Sequence, residues 1–268
     1  MHATTQSLLA ALLALAASCA SPTKSFNEGA RTTATPTRPT YSQSTFTTAP
    51  GTFELETGVY VDPSDASSVP TTFKYGVNDR ADVQVGFSPA SAVEGGGVGV
   101  GDLTLAWRQR LTEQQQGHLS LAYLAQIKLP TADEDKGLGT GEFDALLAGI
   151  GTLPMTDWSM TGYVELGLIG DPTGGGADLQ LALAAAGDKA LAGNAGVFGE
   201  LAGVFNGEQD YDAIFTTMGG TWSPVPGLVL DTGIVLGLTD DAPDYAFVIG
   251  LTRNLGPARG YAVSHSRN

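Results

Sequence analysis

The sequence predicts an all-β protein, an up-and-down antiparallel transmembrane β-barrel of about 12 strands. Three observations carry that prediction. Beyond residue 51 the chain repeats runs of roughly ten residues in which apolar and polar side chains alternate. The connections between the runs alternate between short and long, as the periplasmic turns and outer loops of such barrels do. Finally, the polar face of the runs carries charges in mid-strand, at Glu56, Arg108, Lys128, Glu165, Glu200 and Asp231. An ordinary core would exclude them.

Composition narrows the classes. With 13 Lys+Arg against 28 Asp+Glu, the 268 residues carry a formal charge of −15, opposite to the field that phosphate recognition needs, so no nucleic-acid partner is expected. A hydrophobic content of 42% excludes a disordered acidic chain. One cysteine, Cys19, and three histidines cannot build a structural zinc or His-rich centre, so neither a metal nor another cofactor is expected.

The chain divides into four parts. Leu8 to Ala17 form an apolar run fit for a signal-peptide core and too short to span a bilayer, which takes about 20 residues. Export is expected, with residues 1–19 as the signal. Ala16-Ala17-Ser18-Cys19 resembles a lipobox, which makes Cys19 a candidate for lipidation; Ser18-Cys19-Ala20 equally fits ordinary signal-peptidase cleavage. In residues 20–50 more than half the side chains are Ser, Thr or Pro, the composition of a disordered tether. The barrel is expected over 51–255 and a tail over 256–268.

Each strand is justified by its alternation. The run at 52–61 places Phe53, Leu55, Val59 and Val61 opposite Glu54, Glu56 and Tyr60. That at 102–111 opposes Leu103, Leu105, Trp107 and Leu111 to Asp102, Thr104, Arg108 and Arg110. The run at 118–129 opposes Leu119, Leu121, Tyr123, Ile127 and Leu129 to His118, Ser120, Gln126 and Lys128, and the one at 228–238 opposes its leucines and Ile234 to Asp231. The others start near residues 70, 81, 141, 158, 178, 195, 213 and 244. Those at 141, 178 and 195 are rich in Gly and Ala and alternate less cleanly, which marks them as the weakest pairing. The long connections carry Asp65, Glu94, Asp133, Glu134, Asp135, Asp171, Glu208, Asp210, Asp240 and Asp241, so one rim is acidic. Aromatic residues near segment ends, among them Tyr60, Trp158, Trp222 and Tyr245, suit interfacial girdles. A secreted β-sandwich shares the period of two, but its strands are shorter and its turns need not alternate in length.

Tyr75-Gly76-Val77-Asn78-Asp79-Arg80, Gly99-Val100-Gly101-Asp102-Leu103, Leu129-Pro130-Thr131 (followed by Ala132 where glycine is usual) and Leu230-Asp231-Thr232-Gly233 with Gly237-Leu238-Thr239 recur in this order along the chain. Together they resemble the family of outer-membrane barrel transporters named for the meta-pathway of phenol degradation. The resemblance covers most of residues 51–255. It implies a passive channel or transporter, lodged in outer-membrane lipid, for small hydrophobic solutes, aromatic ones included.

The inward charges Glu54, Glu56, Asp102, Arg108, Arg110, Lys128, Glu165, Glu200 and Asp231 are the candidate lumen lining. Two readings stand side by side: a conducting path, or a salt-bridge network that plugs a structural outer-membrane protein or lipoprotein. A catalytic reading has one foothold, His118-Leu119-Ser120, an H-x-S pair as in barrel lipases. Its place at the short-turn end argues against it, and no catalytic residue is assigned. Asp133-Glu134-Asp135 is the best cluster for Ca²⁺, with a solvated loop the favoured reading. Gly95-Gly96-Gly97-Val98-Gly99 lacks the Lys and the following helix of a phosphate loop.

Overall fold

The computed structural model describes residues 33–174 and 176–257; the signal segment, Cys19 and the tail from residue 258 lie outside the described residues. The strands are β1 (Thr52–Val61), β2 (Ala66–Ser68), β3 (Thr71–Asn78), β4 (Ala81–Phe87), β5 (Ser91–Val93), β6 (Val98–Gly99), β7 (Leu103–Arg110) and β8 (Ser120–Leu129). There follow β9 (Asp144–Pro154), β10 (Trp158–Gly170), β11 (Ala177–Ala190), β12 (Ala195–Asn206), β13 (Tyr211–Val225), β14 (Leu228–Gly237) and β15 (Tyr245–Pro257). All belong to one antiparallel sheet, in which each long strand pairs with the next long strand along the chain, β1 with β3 and β4 with β7 included, and β1 pairs with β15 to close it. The short strands β2, β5 and β6 branch off at the long-loop end, and the other 12 form the barrel wall. The wall strands begin within three residues of the starts read from alternation.

The alternation does what it should in lipid. Along β10 the side chains of Met160, Val164, Leu166 and Leu168 are exposed while Ser159, Thr161, Tyr163 and Glu165 are buried. Leu147, Leu179, Leu201, Phe247 and Ile249 extend the apolar outer band, and Trp158 and Trp222 at the short-turn end with Tyr245 at the long-loop end stand at its edges. This is the outer face of a barrel built to stand in a bilayer. Tyr60 departs from the girdle expectation: it points inward and packs against Val235, Ala246 and Val248.

The Gly- and Ala-rich strands are not the weak seam that their composition suggested. Strands β10 and β11 pair without a break from Trp158↔Lys189 to Gly170↔Ala177, and β11 and β12 from Leu181↔Phe205 to Ala190↔Gly196. The ladder is made by backbone groups, so small side chains leave it intact. What they do is let the interior close: Ala106, Ala122, Leu124, Ala148, Ile150, Tyr163, Ala184 and Ala202 form one buried cluster inside the wall.

The largest departure concerns residues 33–50. Read as a tether, this segment is instead folded against the barrel, with Ser42, Thr45, Thr48 and Ala49 buried. Its partners lie on β1, β4, β9, β10, β12 and β14, on the inward face of each, so it can only lie in the lumen. A Ser/Thr/Pro segment has no apolar face for a conventional core. A lumen lined by carboxylates is a different solvent, in which hydroxyls and free backbone N–H groups are what is wanted.

Candidate functional site in the barrel lumen

The lumen segment enters at the short-turn end, where the Thr33 carbonyl accepts a hydrogen bond from Asn254 Nδ2 (3.2 Å). It climbs to the middle of the barrel, turns, and descends to leave beside Gly76, whose carbonyl accepts from Gly51 N (2.7 Å). A Cβ on Gly76 would lie 2.1 Å from the Ala49 carbonyl oxygen, so the glycine in the Tyr75-Gly76 turn is required by this close passage.

Carboxylates hold the segment by its backbone. Glu54 accepts the N–H (2.8 Å) and hydroxyl (2.6 Å) of Thr35; Glu56 accepts the same two groups of Thr37 at the same distances. Glu200 accepts the N–H groups of Tyr41 (2.6 Å) and Ser42 (2.8 Å) and the Ser42 hydroxyl. Asp82 accepts from Thr48 N (2.9 Å). The alternation of β1 places Glu54 and Glu56 two residues apart on one face, the spacing at which they meet Thr35 and Thr37 of an extended chain. These are charge-assisted hydrogen bonds, stronger than those between neutral groups.

Cations neutralise part of this field. Lys74 Nζ sits 2.6 Å from Glu56 and 3.8 Å from Glu54, its side chain wholly buried. Arg108 pairs with Asp82 at 2.6 Å and also donates to the Ser44 carbonyl (3.2 Å). Arg38, contributed by the segment itself, meets both oxygens of Asp231 through Nε at 3.2 and 3.1 Å. Glu165 receives the hydroxyls of Tyr41 (2.9 Å) and Tyr163 (2.6 Å), and the Tyr41 ring stands edge-on to Tyr163 and Phe215 at centroid distances of 6.0 and 6.1 Å.

Of the residues singled out from sequence, Glu54, Glu56, Arg108, Glu165, Glu200 and Asp231 therefore face inward and meet the segment rather than open water. Asp102, Lys128 and Arg110 are not brought to this site. Asp102 precedes β7 at the long-loop rim, where it accepts the N–H groups of Thr131 and Ala132 (2.9 Å each) while Thr131 Oγ1 accepts from Leu103 N (2.9 Å). The Gly-x-Gly-Asp-Leu and Leu-Pro-Thr pieces of the sequence thus clamp one another. Lys128 lies with them, 2.7 Å from Asp144 and 3.6 Å from Asp102. Arg110 is at the opposite rim, donating to Gln114 Oε1 (2.9 Å) and the Asp79 carbonyl. Alternation assigns a strand residue to a face but says nothing of its height along the barrel. Sequence reasoning also missed Lys74, Asp82 and every residue of the lumen segment; the inward phase of Lys74 and Asp82 in their strands is a signal that could have found the first two.

The lipase pair does not assemble. His118 is exposed in the connection before β8, and Ser120 Oγ is buried without a hydrogen-bond partner. Asp133 is paired with Lys136 at 2.6 Å, whose hydrogen bond and charge hold the carboxyl below its ordinary value, and among the described residues no three Asp, Glu, His or Cys side chains converge as metal ligands do.

Among the described residues, two half-open cavities flank the segment, one on each side. The larger, about 400 Å³ at the short-turn side, is lined by the segment and by Thr161, Ala186, Phe198, Thr221 and Val229 among others. The smaller, about 240 Å³ toward the long loops, includes Tyr41, Tyr60, Pro70, Thr72 and Val248.

A family model described as "Putative MetA-pathway of phenol degradation" matches residues 37–253. The chain belongs to this family. The match begins inside the lumen segment, at Thr37, so the MetA-pathway family model takes in part of the segment as well as the wall. Among solved structures, an outer membrane channel from Pseudomonas putida F1 superposes with a TM-score of 0.60 at 14% identity, covering 77% of this chain and 96% of its own. The NanC porin does so with a TM-score of 0.55 at 8% identity, over 76% of this chain and 100% of its own. At these identities the likeness establishes a shared barrel fold. No curated protein matches the sequence.

Proposed function

We propose that this MetA-pathway family barrel is a passive, non-enzymatic channel that carries small, largely apolar, one-ring solutes across the outer membrane. The observation that carries the reading is the pair of half-open cavities, about 400 and 240 Å³, flanking a lumen segment that, among the described residues, side chains hold to the wall except at the Pro50–Gly76 backbone bridge at its end. A cavity of about 150 Å³ already accepts benzene when its lining is apolar. Tyr60, Val248 and Phe198 offer such surface, and Thr72 and Thr221 offer hydrogen bonds to a ring hydroxyl. The family description and the channel and porin likenesses agree with this reading. Holding the segment by side chains, rather than by strand pairing, lets it shift without opening the barrel.

The test is solute flux into liposomes containing the purified full chain. Faster entry of phenol-sized neutral solutes than of sugars of similar mass is expected. No flux above empty liposomes, with the barrel intact by heat-modifiable gel mobility, overturns it. That outcome would support the second reading, a plugged structural barrel, which the wholly buried Lys74, Glu54 and Arg108 side chains favour.

A further inference from the structure

We propose that Arg38 is the selectivity residue of the lumen: seated in a glycine notch of the wall, its side chain separates the two cavities, and its release from Asp231 joins them and sets which charged solutes pass. This deepens the channel reading and rests on it.

The cavities share Thr37, Arg38, Pro39 and Thr40 as common lining, so this short stretch is the partition between them. The wall behind it is shaped for a guanidinium. Gly58 of β1 and Gly250 of β15 are register partners across the closing seam, and Asp231 of β14 is the partner of Gly250 on its other side. A Cβ on Gly58 would lie 2.3 Å from Arg38 Nη2, and one on Gly250 would lie 2.5 Å from both Nε and Nη2. Two facing glycines thus hollow the wall, and the planar head fills the hollow with its edge on the Asp231 carboxylate.

The attachment is local. On one side of the partition Thr37 is gripped by Glu56, and on the other Tyr41 and Ser42 are gripped by Glu200. Between these grips the Arg38–Asp231 pair is the tie to the wall among the described hydrogen bonds. It is also incomplete, because Nη2 is buried in the notch with no acceptor. A side chain held along one edge leaves more readily than one with every donor satisfied.

The charge consequence has a definite sign. With Arg38 removed, Asp231 stands uncompensated in the passage and favours cations. With Asp231 neutralised, the guanidinium stands uncompensated and favours anions.

Planar-bilayer recordings on the full chain test this, using single-channel conductance and the reversal potential in a KCl gradient. Gel mobility before and after heating reports the fold. R38A is expected to raise conductance several-fold and move the reversal potential toward cation preference, and R38K to fall between R38A and the wild type. D231N is expected to move the reversal potential the opposite way. Should R38A fail to fold, G250A, which displaces the guanidinium while keeping both charges, has to raise conductance instead. Folded variants with wild-type conductance and selectivity overturn the assignment of Arg38 and leave the channel reading standing. Intact barrels that conduct nothing, in every variant and in liposome flux alike, overturn the channel reading and the assignment with it.

Discussion

Glu200 offers the sharpest test of how the lumen segment is held. Its carboxylate accepts two backbone N–H groups, of Tyr41 at 2.6 Å and Ser42 at 2.8 Å, besides the Ser42 hydroxyl, and no salt bridge draws on it among the described residues. Replacing Glu200 by Ala leaves both amides facing a void. Each buried donor without an acceptor costs about 1–3 kcal/mol, so the bound position of the segment is destabilised by roughly 2–6 kcal/mol. At a factor of ten for every 1.4 kcal/mol, the two amides should exchange with solvent about 30-fold to 20,000-fold faster. Water entering the space left by the shortened side chain replaces part of the lost bonding and places the expected value at the lower end. Hydrogen-exchange mass spectrometry in detergent micelles measures this, comparing peptides covering residues 38–48 with peptides from β10. Glu200→Gln keeps one acceptor and should fall between the two. If the Glu200→Ala protein exchanges these amides no faster than the wild type while its barrel peptides are unchanged, the carboxylate does not hold the segment and the argument fails.

Lys74→Met leaves Glu54 and Glu56 buried without their cation and is expected to cost about 3–5 kcal/mol, read as a lower urea midpoint for loss of the heat-modifiable band, with Lys74→Arg recovering part of it. An unchanged midpoint would mean that these carboxylates are neutral or hydrated. Leu166→Arg puts a charge on the exposed outer face of β10 near mid-strand and should destabilise the protein by about 2–4 kcal/mol in phosphatidylcholine vesicles; indifference to this change would mean that the face does not meet lipid. Intact-mass analysis of protein from outer membranes decides between the two signals at the N-terminus: a chain beginning at a lipid-bearing Cys19 supports the lipobox, and one beginning at Ser21 supports ordinary cleavage.

The wall was legible because period-two alternation is a local property. Leu166 must face lipid and Glu165 must not, whatever the rest of the chain does, and each strand reports this separately. Connection lengths then order the strands and give the short-turn and long-loop ends. The inward phase of Glu54, Glu56, Arg108, Glu165, Glu200 and Asp231 follows from the same rule. The height of Asp102, Lys128 and Arg110 does not, because it depends on strand tilt and on which rim each strand end reaches. Nor does composition reveal what the inward carboxylates bind. Thr35, Thr37 and Ser42 look like parts of a solvated tether when the alternative solvent is water, and only closure of β1 on β15 creates a polar interior in which their hydroxyls and amides find acceptors. The sequence by itself determined a barrel with a charged inner face. Tertiary structure decided what occupies it, since Glu54 on β1, Glu200 on β12 and Asp231 on β14 are far apart in the chain and act on one segment only after the sheet has closed.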